Sequence, residues 1–164
     1  MRSLVTLLPL LAFMTFVPAC GNEEISGLFS KAEAEKVARQ VIKSWGEGRS
    51  AEVKKLCAVP FHFGTRTWVT ADSLRQNLEY QVGRLRTDAA RFTEFEIFSR
   101  LDLEQGRWPR GRKIPKGKRQ DEIHRVGVSS DGFLVRVSRE KAAGWQLVLN
   151  PEGAENLVLQ AVYP

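Results

Sequence analysis

The chain has 164 residues, 25 of them Lys or Arg and 19 Asp or Glu, for a formal net charge of +6. That length supports one domain with a core of its own, without disulfide staples. The charge is no sign of a nucleic-acid partner: seven basic residues and no acid lie between Arg107 and Arg119, and with those and Arg2 set aside, 17 basic residues face 19 acidic ones.

Arg2 forms a small positive n-region. Leu4 to Val17 is an apolar run of secretory-signal length, too short to span a bilayer. It ends in Val17-Pro18-Ala19-Cys20. An aliphatic residue, a tolerated residue, a small residue and a cysteine in this order resemble the bacterial lipobox. The resemblance implies that Cys20 receives a diacylglyceryl group and that residues 1–19 are cut away before it. Two or three acyl chains hold a protein stably on a membrane, which a single chain does not. Pro18 departs from the usual Ser, Thr or Ala and stiffens the scissile region. An ordinary secretory signal cut after Ala19 and an uncleaved anchor, interrupted by Pro9, are the alternatives. Gly21 is not the Asp that favours inner-membrane retention in enteric bacteria, so the expected address is the periplasmic face of the outer membrane where the host has one. Residues 20–27 form a tether, polar and glycine-flanked from Gly21 to Gly27. Residues 28–164 form one domain.

Ser30-Lys31-Ala32-Glu33 is a capping-box pattern. Val37, Ala38, Val41, Ile42 and Trp45 then recur at helical spacing, and Gly46 and Gly48 stop the helix. A short second helix is predicted from Ala51 to Cys57, ended by Pro60. Phe61-His62-Phe63 reads as a strand. Thr70 caps a further helix, with Leu74, Leu78, Val82 and Leu85 on one face and Asp72 complementing its dipole.

The period then changes. Phe95, Ile97, Leu101 and Leu103 share one parity, and Glu94, Glu96, Arg100, Asp102 and Glu104 the other, which predicts a strand with one wet face. The basic segment 107–119 (RWPRGRKIPKGKR) follows as a loop. Ile123 to Val128 and Phe133 to Val137 are predicted to pair as a hairpin around Ser130-Asp131-Gly132. Trp145, Leu147 and Leu149 mark another strand, and Asn150-Pro151-Glu152-Gly153 a turn. Leu157 to Val162 is apolar and fits strand or helix.

This order, with Val41-Ile42-Lys43-Ser44-Trp45, Val53 to Leu56, Pro60-Phe61, the Thr70-led helix and Gly144-Trp145-Gln146-Leu147-Val148, resembles the nuclear-transport-factor-like superfamily, also called SnoaL-like or cystatin-like cones. The resemblance covers about residues 28–149. It implies an α+β fold in which a curved antiparallel sheet wraps round the N-terminal helix, with two further short helices, and leaves a cone-shaped pocket. It says little about function, because one fold hosts many.

An isomerase of that type needs a pocket carboxylate and a donor such as Tyr. Only Tyr80 and Tyr163 are present, neither on the first helix, so no catalytic residue carries over. Trp45 and His62 are the candidate pocket residues; His62 points away from its two phenylalanines and lines a pocket only if one lies on its side. His124 alternates with Val126 and Val128 and is placed on their buried face. The two histidines lack zinc-ligand spacing. No Gly-x-Ser-x-Gly and no phosphate-cradling glycine loop occurs, and no metal or cofactor is expected. Cys57, alone if Cys20 is lipidated, reads as a helix end entering the core.

The basic loop is the sharpest lead. Arg107, Arg110, Arg112, Lys113, Lys116, Lys118 and Arg119, with Trp108 among them, describe a mobile cationic arm suited to anionic lipid or a cell-wall polymer. The alternative is a solvated loop folded back on Glu94, Glu96, Asp102 and Glu104. The function expected is a membrane-anchored envelope lipoprotein with a non-enzymatic small-ligand-binding or protein-interaction domain. An isomerase- or dehydratase-type SnoaL-like enzyme with an unrecognised acid or base is the alternative.

Overall fold

The computed structural model describes residues 27–139 and 144–164; the expected signal peptide 1–19, Cys20 and the expected tether up to residue 26 lie outside them. Ser30 opens α1, Lys31–Gly46, through a closed capping box. Its hydroxyl accepts from the Glu33 N–H at 3.2 Å, and the Glu33 carboxylate accepts from the Ser30 N–H at 2.7 Å. The predicted apolar stripe buries Ala34, Ala38, Val41, Ile42 and Trp45. The second helix, α2, is Ser50–Lys55. It ends before Cys57, which opens β1, Cys57–Phe63, paired in a hairpin with β2, Arg66–Trp68. Thr70 caps α3, Ala71–Ala89, and Leu74, Leu78 and Val82 are buried along it.

The remaining elements are β3 (Glu94–Ser99), α4 (Arg100–Glu104), α5 (Arg119–Val126), β4 (Phe133–Ser138), β5 (Gly144–Glu152) and β6 (Asn156–Tyr163). The fold is α+β, with one open six-stranded sheet in the order β2-β1-β6-β5-β4-β3. The sheet is mixed, not antiparallel throughout: β6 lies parallel to β1 and antiparallel to β5. Residues 157–162 are therefore strand. Two short further helices were expected; α3 alone has 19 residues, and α4 and α5 were not foreseen.

Both faces of the sheet are covered. Phe133, Val135, Val137, Leu147, Leu149, Leu159 and Val162 join the core with α1 and α3. Leu134, Val148 and Ala161 pack with Leu103, Trp108, Ile123, Val126 and Val128 in a second cluster. This two-sided cover explains why every residue of β4 is buried.

The region between β3 and β4 departs most from expectation. The strand predicted through Leu103 stops at Ser99, whose hydroxyl accepts from the Asp102 N–H at 3.2 Å and caps α4. Asp102 leaves the expected wet face and is only 2% exposed. The strand predicted at 123–128 is the end of α5, where Ile123 and Val126 are buried three apart and Gly127 closes the helix at φ 86°. His124 is accordingly exposed on that helix rather than buried. The expected 123–137 hairpin is absent: β4 pairs with β3 and β5.

Candidate functional site

The basic segment is a folded platform. Trp108, placed by sequence at a membrane interface, is instead 4% exposed, and its indole N–H donates to the Leu103 carbonyl at 3.0 Å. Pro109 is buried beside it, and Ile114 packs against the same cluster. Single turns of 3-10 helix occupy Pro109–Gly111 and Lys116–Lys118, and the segment runs directly into α5. An indole held by both packing and a hydrogen bond cannot insert into headgroups without unfolding its surroundings. The mobile arm is therefore corrected to a fixed surface.

Three of the arginines build that surface. Arg119 donates from Nη1 to the Glu104 carbonyl at 3.0 Å and from Nε to the Ile114 carbonyl at 3.2 Å. Arg112 pairs with Glu122 at 2.7 Å, and its guanidinium lies 6.0 Å from the Trp108 ring centroid. The guanidinium of Arg125, hydrogen-bonded to Glu122, holds that carboxyl down to about 2, with Arg112 acting in the same sense against partial burial. Arg107 pairs with Asp102 at 2.5 Å. Arg110 is exposed in a left-handed conformation, φ 57°. Among the described residues, Lys113, Lys116 and Lys118 are exposed and form no ion pair.

The segment does fold back on two of the four acids considered, Asp102 and the backbone of Glu104. Glu96 and Glu94 engage β4 through Arg136 and Ser138.

Asp102 is the hub that sequence reasoning missed. Its Oδ2 accepts from the Ser99 N–H at 2.8 Å, from the Ser99 hydroxyl at 3.0 Å and from Lys31 Nζ at 2.8 Å; its Oδ1 accepts from Arg107 at 2.5 Å. Burial alone would raise its carboxyl, but the hydrogen bonds from Lys31 and Ser99 outweigh it and hold the group below the usual carboxylate range. The spacing Ser99-x-x-Asp102 is itself a capping-box signal and was available in the sequence. Lys31 is the first residue of α1, four residues beyond Gly27. One carboxylate thus joins the start of α1 to the start of the basic segment.

The candidate pocket residues separate. Trp45 is fully buried and stacked among rings, 6.2 Å from Phe63 and edge-on to Trp145 at 5.4 Å. Its Nε1 has no hydrogen-bond partner. His62 lies on the opposite face of β1 from Phe61 and Phe63, and its Nδ1 is 3.0 Å from Thr67 Oγ1 across the hairpin. The two do not meet in any cleft described. Cys57 is unpaired and largely enclosed. No helix among the described residues is long and apolar enough to cross a membrane, and none of their His, Cys, Asp or Glu cluster as metal ligands.

Comparison with protein-family models, with curated proteins and with solved structures finds no match, so neither resemblance drawn from the sequence receives support from a relative.

Proposed function

We propose that this chain is a lipid-anchored protein of the bacterial envelope, held through Cys20, whose domain is a non-enzymatic interaction module that presents its basic platform to the anionic membrane surface beneath it. The observation that carries this reading is the Asp102 bridge. Lys31 and Arg107 meet on one carboxylate, so the tether leaves the domain beside the basic segment. An anchor at Cys20 then brings Lys113, Lys116 and Lys118 to the surface that holds the anchor.

The cone-type architecture belongs to the same reading, supported by α1 lying against the inner face of the sheet. The space a cone pocket would occupy is filled by Trp45, Phe61, Phe63, Trp68 and Trp145. That filling favours an interaction module over a SnoaL-like enzyme. The outer membrane, at its periplasmic face, is the address proposed for a host that has one.

The test uses the Cys20→Ser chain, which escapes lipidation and should leave the membrane fraction of cells. In vitro it should bind phosphatidylglycerol vesicles, weakly or not at all phosphatidylcholine vesicles, and release with salt. Each lysine near an anionic surface contributes about 1 kcal/mol within a Debye length of ~8–10 Å. Neutralising Lys113, Lys116 and Lys118 to Gln should therefore weaken binding about 100-fold at low salt. Retention of Cys20→Ser in the membrane fraction after a high-salt wash sinks the anchor. Vesicle binding indifferent to the three lysines, or binding confined to cell-wall polymer, sinks the membrane-facing platform.

A further inference from the structure

A second surface, on the α1 and α3 side of the sheet, carries separate chemistry. The β1–β2 turn faces the middle of α3 across a cleft of about 300 Å³ lined by Phe63, Thr65, Arg66, Tyr80, Gln81 and Arg84, with Pro164 at its end. No side-chain carboxylate lines it. Phe63, 6% exposed, offers a buried apolar wall, and Tyr80 is 66% exposed.

Gln81 is the informative residue. It is 4% exposed, a buried amide on a helix otherwise apolar at that face. Its Oε1 accepts from Arg84 Nε at 3.2 Å and from Nη2 at 3.0 Å. A neutral amide orients the guanidinium without cancelling its charge. Among the described residues neither Arg66 nor Arg84 forms an ion pair. Two guanidinium groups that line one cleft, with no carboxylate side chain on it, leave forked N–H groups for a bound oxyanion to accept.

We propose that this cleft binds a small oxyanion, carboxylate or phosphate, carried on an aromatic body. Arg66 and Arg84 take the anion, and Phe63 and Tyr80 take the body. This site lies on the opposite side of the sheet from the basic platform and stands or falls independently of it.

The experiment is an NMR titration of the isotopically labelled Cys20→Ser chain with phenyl phosphate and with benzoate, which separates phosphate from carboxylate preference. At least one should give saturable shifts of the Gly64, Thr65 and Arg84 amides. Orthophosphate and acetate, lacking the ring, should bind about tenfold more weakly. Arg66→Gln and Arg84→Gln, at exposed positions, should keep the folded spectrum and each weaken binding about tenfold. Gln81→Leu removes no charge but frees Arg84, so it too should weaken binding; a purely structural Gln81 would alter stability and leave affinity alone. Neutralising Lys113, Lys116 and Lys118 should change nothing here. Absence of saturable shifts with both ring-bearing probes, affinity unchanged in both arginine variants, or equal binding of the ring-free ions overturns the proposal.

Discussion

Asp102→Asn isolates the joint on which the proposed orientation depends. The native carboxylate offers two oxygens to four donors: the Ser99 N–H and hydroxyl, Lys31 and Arg107. Asparagine keeps one acceptor and turns an N–H₂ toward cations. Loss of the reciprocal cap costs about 1 kcal/mol. Lys31 and Arg107 have side chains 42% and 52% exposed, so water can reclaim both, and each pair is discounted to at most about 1 kcal/mol. The expected loss at about pH 7 is thus roughly 1–3 kcal/mol, readable by urea denaturation. The pH dependence supplies a second check. The native carboxyl sits below its ordinary value, so its contribution is fully present above the unfolded pKa of about 3.9 and fades as pH falls through the folded one. The gap between native and Asn chains should therefore close in acid. A loss under about 0.5 kcal/mol, or a gap that persists in acid, would refute the bridge.

Three further outcomes follow from packing. An ideal Cβ at Gly46 would lie 2.9 Å from Ala90 Cα and 3.0 Å from its N, so Gly46→Ala should cost about 1–3 kcal/mol despite the better helix former; no change in denaturation midpoint would mean that α1 and α3 are loosely spaced. Trp45→Phe discards an unpartnered indole N–H while keeping a ring, so it should stay within about 1 kcal/mol of native in the same assay, whereas Trp45→Ala should cost about 3–5 kcal/mol. Burial pushes the Cys57 thiol up to about 12, and its Sγ donates to the Val53 carbonyl at 3.2 Å. The folded Cys20→Ser chain should resist Ellman's reagent near neutral pH and react only in denaturant; because the folded pKa is the higher, the associated stability is intact below about 8.5 and is lost as pH rises toward 12.

The first half of the fold was legible because its signals are local. Ser30 and Thr70 cap through side chains three residues away, and the apolar stripes behind them have one period. The second half depends on contacts distant in sequence. Leu101 and Leu103 continue the parity of β3, yet Ser99 and Asp102 close a cap that turns the chain into α4, leaving Leu101 41% exposed and Leu103 buried. Val126 and Val128 mimic strand alternation, but Ile123 and Val126 are the helical pair. The parallel register of β6 beside β1 joins segments about a hundred residues apart, with no local trace. The basic segment misled for a related reason: prolines and glycines suggest mobility, whereas Trp108 and Arg119 tie it down through partners outside it. The unusual density of cations was visible; the division between structural arginines and free lysines was not.

That division changes what the platform can do. On the proposed reading, lipid on Cys20 already gives stable attachment, so a further ~3 kcal/mol from three lysines adds little to retention. Its effect is on orientation. By chain length alone, the seven residues Gly21 to Gly27 reach at most about 25 Å and do not of themselves stop the domain from tumbling. A rigid basic face biases that tumbling by the full electrostatic difference between facing the bilayer and facing away, about 100-fold for ~3 kcal/mol, because no ordering of the loop has to be offset. The opposite side, with Tyr80 and the arginine cleft, would then point into the surrounding compartment. Fluorescent labels at Lys116→Cys and Tyr80→Cys of the lipidated chain test this, with the largely enclosed Cys57 staying unlabelled. Quenchers at headgroup depth in anionic vesicles should dim the label at 116 several-fold more than that at 80, and high salt should equalise them. Equal quenching at low salt would show that the tether alone sets the geometry.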